Sequence, residues 1–480
     1  MNTKKLLLAA VSALVLAGCT VGPDYSAPAV PPTAAVPFIG GTSPAVSATE
    51  PAQDWWRLYD DPVLDSLVAD ALSANTDIRV AVARLERARS TLRGAKADRL
   101  PATGVTASAT YDRVSAVESI PGRKRESWLI DGGLSIGYEL DLFGRVGRSI
   151  EAADGDVAVA AADADAVRVM VVADTIRAYA DAASAAERLA VAGRTVELLD
   201  QSLRVTGKRL EAGRADKLDL VRITALRDQR AALVPGIAAE RQAALFRLAT
   251  LTGRTPQALP PEAGARSTTP RIVRPLPVGD GAALLARRPD IRAAERQLAA
   301  DTARIGVATA DLYPRITLGG AAGQTSTGLG DLFTGGPLWY MLGPQISWAF
   351  PNQEGVRARI GGAEADASGS LATFDGAVLE ALQETETALS GYAKALDGRV
   401  ALQAARDQAE TAARIVRARQ REGQVDFLEV LDAERTAADT EADLAAADAR
   451  IADDQIDLFR ALGGGWQTRQ IASATPESVR

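Results

Sequence analysis

The residue whose surroundings most sharply specify a chemistry is Cys19, which follows Leu16, Ala17 and Gly18. Ahead of these lie Lys4, Lys5 and an apolar run from Leu6 to Val15. That run is too short to span a membrane and reads as the apolar core of a secretory signal over residues 1–18. Small residues directly before a cysteine form the pattern in which the thiol is diacylated and becomes the mature N-terminus, so Cys19 is read as a lipid anchor. Acyl burial adds about 0.8 kcal/mol per CH₂, and several chains on one cysteine hold firmly. Thr20, rather than Asp, in the next position favours sorting to the outer membrane. Cys19 is the only cysteine, and the chain has no histidine. Ser/His/Asp and Cys/His catalysis, disulfides and His- or Cys-based metal sites therefore have nothing to be built from. The many carboxylates are scattered over Ala-rich stretches in the manner of solvated helix faces. Neither an enzyme nor a cofactor is expected. A net charge of −7 with interspersed signs offers no basic patch to nucleic acid.

The other chemically loaded segments are two charged turns. One runs Arg209-Leu210-Glu211-Ala212-Gly213-Arg214-Ala215-Asp216-Lys217-Leu218-Asp219, and the other Arg419-Gln420-Arg421-Glu422-Gly423-Gln424-Val425-Asp426-Phe427-Leu428-Glu429. Gly213 and Gly423 stand where a helix end needs positive φ, and Asp216 and Asp426 can cap the helix that follows. Arg209, Gly213, Asp216 and Leu218 recur as Arg419, Gly423, Asp426 and Leu428. The same duplication appears earlier, where Asp77 to Pro101 aligns without a gap on Asp290 to Pro314 with nine identities. Two copies of one supersecondary unit sharing a core are expected.

Each copy must hold its turn on long helices. In the first, residues 61–255, a helix starts at Asp61-Pro62 and carries Leu64, Leu67, Val68, Leu72, Ile78, Val82 and Leu85 at helical spacing, closing at Pro101. The period then drops to two, with Val105, Ala107, Ala109 and Tyr111 alternating against Thr106, Ser108, Thr110 and Asp112. Strands are expected at 102–113 and 128–141, the second with Leu134, Ile136, Tyr138 and Leu140 on its apolar face. Helices at 146–207 and 215–252 follow, the longer reaching roughly 90 Å at 1.5 Å per residue. Pro235 predicts a bend in the second. The second copy, 281–465, repeats the order with a helix closing at Pro314, strands at 315–324 and 339–350 and helices at 355–421 and 425–462. Leu428, Leu431, Ala438, Ala442, Ala445, Ala449, Ala452, Ile456 and Phe459 mark a coiled-coil seam broken by Arg435. A Pro-rich linker spans 256–280, residues 19–60 form an extended anchor segment running along a surface rather than forming a core, and 466–480 a disordered tail. The fold class is thus mainly α, with long antiparallel helices and four strands per chain.

Four strands leave two open edges, and a membrane tolerates none. Other copies of the chain must close the sheet, and three chains give twelve strands, enough for a barrel with a polar interior. Trp128, Trp339 and Tyr340 near strand ends fit an interfacial aromatic belt and equally a place in a core.

These residues resemble the outer-membrane efflux proteins, the TolC-like channel family, in its OprM/NodT lipoprotein branch. The resemblance rests on Cys19-Thr20-Val21-Gly22-Pro23-Asp24-Tyr25, Trp55-Trp56-Arg57-Leu58 with Asp61-Pro62, Glu139-Leu140-Asp141-Leu142-Phe143-Gly144-Arg145, and Arg287-Arg288-Pro289-Asp290-Ile291. It covers the chain from Cys19 to about Gly465. It implies a homotrimer with a twelve-stranded outer-membrane β-barrel, an α-helical tunnel through the periplasm and an equatorial belt. It also implies a periplasmic adaptor and an inner-membrane pump, most often of the resistance-nodulation-division type, with drug or small-molecule efflux as the function. Type I protein secretion is the alternative. By the same resemblance the two turns form the periplasmic tip where the adaptor docks, and Asp219, Glu429 and Asp432 fall where the family places tip and gate carboxylates. Glu429, Asp432 or both are expected to line the closed constriction, with Arg421 or Arg214 as pairing partners.

Overall fold

A computed structural model describes residues 20–464 other than 35, 119–120, 123, 329 and 331–337. The signal, Cys19 and the tail lie outside the described residues. In chain order the elements are β1 (Val46–Ser47), a 3₁₀ turn at Trp55–Tyr59, α1 (Pro62–Ala74), α2 (Thr76–Ala97), β2 (Ala102–Arg113) and β3 (Glu126–Leu140). Then come α3 (Arg145–Glu211), α4 (Lys217–Ala231), α5 (Val234–Leu251), β4 (Leu276–Pro277), α6 (Gly281–Arg287) and α7 (Pro289–Ala310). The chain continues through β5 (Arg315–Ser326), β6 (Leu338–Ser347), α8 (Glu354–Arg421) and α9 (Phe427–Ala461).

Local chemistry sets these boundaries. Asp61 starts α1 by accepting from the N–H groups of Val63 and Leu64, with Pro62 at the first helical position, where its missing N–H costs nothing. The single helix expected up to Pro101 is two helices. Asn75 interrupts it, its Oδ1 accepting from the N–H groups of Asp77 and Ile78 while its Nδ2 donates to Leu251 O. The helix expected at 215–252 is likewise two, α4 and α5, joined through Ala232 and Leu233 just ahead of Pro235. The proline ring cannot coexist with an uninterrupted preceding turn.

The chain forms two compact units. The first comprises 20–28, Arg84–Ala161 and Ala293–Asp375. Its centre is an antiparallel sheet in the order β2-β3-β5-β6, so β2 and β6 are its two edges. Register runs Val105↔Leu134↔Ala322↔Tyr340 across all four strands. At the helical end of the sheet Asp141 accepts from the N–H groups of Val146 and Gly147 and starts α3. Glu139 receives both nitrogens of the Arg145 fork at 2.8 and 2.6 Å. The residues after Cys19 lie along this unit: Val21 N–H donates to Phe143 O, and Arg148 donates to Asp24 and Val21 O. A Cβ on Gly22 would come 2.5 Å from Gly306 Cα, so glycine is required there.

The second unit comprises Ala29–Ala83, Ala162–Arg292 and 376–464. Its core joins Trp55, Tyr59, Leu64, Leu67, Ile176, Tyr179, Leu248, Leu284, Leu389 and Phe459, with Trp55 stacked on Phe459 at 4.4 Å. The extended segment expected to run along a surface supplies part of this core. Ala34, Phe38 and Val46 are buried, β1 pairs in parallel with β4, and the N–H groups of Ile39 and Gly40 donate to Glu386 at 2.6 and 2.9 Å. Short polar and proline-rich stretches conceal these few apolar anchors, some of whose partners, such as Leu276 for Val46, lie far along the chain.

Candidate functional site

Two arrangements carry function-bearing chemistry, and the first is the pair of sheet faces. Paired residues in an antiparallel ladder share a face. One face holds Val105, Tyr111, Trp128, Leu134, Ile136, Leu318, Tyr340, Leu342 and Ile346. Its members stand open, Leu342 being 78% and Ile346 70% exposed. The opposite face holds Thr106, Ser108, Thr110, Asp131, Gly133, Ser135, Thr317, Gly319, Gly323, Thr325 and Gln345. Such an apolar outside and polar, small-residue inside is the pattern of a barrel wall. Among the described residues no helix is long and apolar enough to cross a membrane. Trp128 and Tyr340 sit on the apolar face as a belt requires, with Trp128 edge-on to Tyr111 at 5.5 Å. Trp339 does not: its partner is Gly323, so it belongs to the polar face.

The second arrangement is the pair of turns. Gly213 has φ +69° and Gly423 φ +73°. In the first turn Arg214 N–H donates to Arg209 O and Gly213 N–H to Leu210 O; in the second Gln424 N–H donates to Arg419 O and Gly423 N–H to Gln420 O. Both are Schellman closures, which satisfy the last helical carbonyls. Asp216 then accepts from Leu218 N–H and Asp426 from Glu429 N–H, starting α4 and α9. The two turns are tied, since Arg209 Nη2 donates to Gln420 O at 2.9 Å. Leu218 and Leu428 stand about half exposed beside the glycines, at 49% and 47%. Below them Leu199, Ile223 and Leu226 pack with Leu203, Phe427 and Leu431.

Glu429 and Asp432 are exposed, and Asp219 is partly buried. Asp432 pairs with Arg435 at 2.9 Å within α9, one turn on, rather than with the expected Arg421 or Arg214. Arg421 instead donates to Arg417 O at 3.4 Å. Two charge groups escaped sequence reasoning. Glu434, buried against α8, lies 2.7 Å from Arg417 Nε, and burial pushes its carboxyl above the usual range while the cation pulls it back only in part. The N–H is not aligned for a hydrogen bond, so the contact is Coulombic. The other group is Asp453 on α9, whose carboxyl is pushed up to about 6 by burial first and then by Asp181. Arg177 of α3 lies 3.8 Å from Asp453 and donates to Asp457 at 2.6 Å. A charge on every third or fourth residue of α9 was the available signal, but it is shared by many solvated positions.

The family model described as "Outer membrane efflux protein" matches residues 67–254 and 282–464 of this chain. Outer membrane protein OprJ of Pseudomonas aeruginosa is 32% identical over 457 residues, covering 95% of this chain and 94% of OprJ. Antibiotic efflux pump outer membrane protein ArpC of Pseudomonas putida is 30% identical over 473 residues, covering 97% and 96%. Among solved structures, the outer-membrane channel OprN superposes with a TM-score of 0.87 at 38% identity, covering 94% of this chain and 100% of OprN.

Proposed function

Because this chain belongs to the outer membrane efflux protein family, we propose that it is the outer-membrane channel of a tripartite efflux pump, passing drugs or other small molecules from the periplasm to the outside. One observation carries the reading: a four-stranded sheet with an apolar face, a polar face and two free edges grows out of helices up to 68 residues long. An unclosed edge cannot persist in lipid, so the sheet closes with copies of itself. Three chains at four strands each give a twelve-stranded barrel, its polar face lining a water-filled conduit. The antiparallel pairs α3 with α4–α5 and α8 with α9 supply the wall of a periplasmic tunnel. At 1.5 Å per residue the longest helices reach on the order of 100 Å.

In this reading the turns at Gly213 and Gly423 form the tip that receives a periplasmic adaptor, itself coupled to an inner-membrane pump of the resistance-nodulation-division type. Arg209, Asp216, Leu218, Arg419, Asp426 and Leu428 shape that surface, two half-exposed leucines flanked by charge. Asp219, Glu429 and Asp432 are the carboxylates that would ring the closed tip in threefold symmetry. Acylated Cys19 tethers the chain to the outer membrane, and the lipid label should be lost in Cys19→Ala. The efflux named for ArpC and for the family favours small-molecule export over type I protein secretion.

The test is assembly and conduction. Protein purified from outer membranes should migrate as a heat-resistant trimer and give discrete ion conductance in planar bilayers, and deleting its gene should sensitise cells to exported compounds. A monomer without conductance would overturn the proposal.

A further inference from the structure

We infer that Trp339, with Thr325 and Asp131, forms a binding ledge for planar aromatic cations on the polar face of the sheet. The inference rests on the channel reading above, which turns that face into the conduit wall.

Trp339 is a large aromatic on a face otherwise built mainly of Gly, Ala, Ser, Thr and Gln. Its row across the sheet runs Gly323, then Gly133, then Thr106. These glycines form a floor for the indole. A Cβ on Gly323 would come 2.7 Å from Trp339 Cζ2, and one on Gly133 would come 3.4 Å from the same atom. The ring therefore lies over the neighbouring strands, and the residue is only partly buried, so it is not sealed from solvent. Covering a glycine gap with an aromatic explains its closeness to the strands. It does not explain the polar chain attached to it.

The Trp339 Nε1–H donates to Thr325 Oγ1 at 3.1 Å, and the Thr325 hydroxyl donates to Asp131 Oδ1 at 2.5 Å. The first bond fixes the ring. The second places a carboxylate beside it on the same face, two hydrogen bonds away. A π surface and an adjacent anion attract the same class of molecule: a flat cation that stacks on the indole while its charge faces Asp131. Three copies in a trimer would place three such ledges around the conduit. They would lie toward the end remote from the helices, because β5 and β6 join there and their other ends lead from α7 and into α8.

The test is single-channel recording of the intact trimer with ethidium added on the barrel side, so that the probe need not pass the helical tip. Ethidium should block the wild-type current in resolvable dwells. Trp339→Ala should shorten them roughly tenfold, the scale of one lost aromatic stack. Trp339→Phe, which retains a ring over Gly323 and loses the N–H, should keep most of the dwell. Asp131→Asn should shorten ethidium dwells while leaving those of a neutral planar probe, caffeine, unchanged. Equal ethidium dwells in wild type and Trp339→Ala, with normal potassium conductance in both, would overturn the ledge and leave the channel standing. Absence of conductance in the wild type would overturn the channel and the ledge with it.

Discussion

Arg417 Nε lies 2.7 Å from the carboxylate of Glu434 across the seam between α8 and α9, and the Glu434 side chain is only 8% exposed. A buried ion pair in an apolar seam contributes little net stability, yet losing one partner leaves the other uncompensated. Glu434→Ala should cost about 2 kcal/mol, below the full buried-pair penalty because Arg417 still reaches water. Glu434→Leu combined with Arg417→Met should recover most of it. Chemical unfolding in detergent checks this, and additive losses in the double variant would show that the two do not act as a pair.

Asp61 takes four donors on one carboxylate: Val63 and Leu64 N–H, Tyr179 OH at 2.8 Å and Arg266 Nη1 at 2.6 Å. Burial raises its pKa, but the bonds from Tyr179, Arg266 and the two amides outweigh it and hold the carboxyl below the usual range. A depressed folded pKa gives stability that is present above the unfolded value near pH 4 and lost as pH falls through the folded one. Asp61→Asn should cost about 2 kcal/mol at pH 7 and should flatten the acid limb of a stability-versus-pH curve. An unchanged acid limb would refute the assignment.

Asp453 gives the opposite sign. Its folded value of about 6 lies above the ordinary carboxylate range. The folded state therefore binds its proton more tightly, so stability from this group rises as pH falls from 7 to 5 and is lost as pH rises through 6. Asp457 and Asp454 on its own helix and Asp181 on α3 oppose its charge, while Arg177 offsets it. Asp453→Asn should raise the thermal midpoint at pH 7.5 and remove the rise toward pH 5, as read by circular dichroism melts across pH.

Alanine at both Glu429 and Asp432 should increase opening of the purified channel and weaken its cation preference. Both side chains are exposed, and Asp432 is held by Arg435 in the single chain. Unchanged conductance and selectivity in planar bilayers would remove these residues from the gate.

Nothing lies within 4 Å of a Cβ placed on Gly213 or Gly423, so a larger residue would meet backbone strain at positive φ but no internal clash. Gly213→Arg and Gly423→Arg should therefore leave heat-resistant trimers intact, with a stability loss of about 1 kcal/mol, while abolishing drug export. Normal export would separate the turns from adaptor docking.

The readable parts of the sequence were those governed by local chemistry. Alternation at Val105, Ala107, Ala109 and Tyr111 marks β2, and the glycine and aspartate of each turn fall where the helix ends and caps require them. Asn75 is hidden because the apolar 3.6-residue period continues through it, and the bond its amide donates to Leu251 becomes visible only in the fold. Trp339 was misplaced for a related reason. Beside Tyr340 it reads as part of an aromatic belt, but adjacent strand residues face opposite ways, and only the register to Gly323 decides which faces lipid. Phe38 and Val46 are hard to see among prolines because the core they join is assembled largely from distant segments, with Val46 pairing to Leu276.

Trp55 stacks on Phe459, Val46 pairs with Leu276, and Glu386 grips the backbone at Ile39 and Gly40. The earliest-made part of the second unit thus waits for nearly the last. A chain threaded amino-end first into the periplasm has nothing to complete that unit until almost all of it has been delivered, so half-exported chains stay unfinished instead of folding piece by piece.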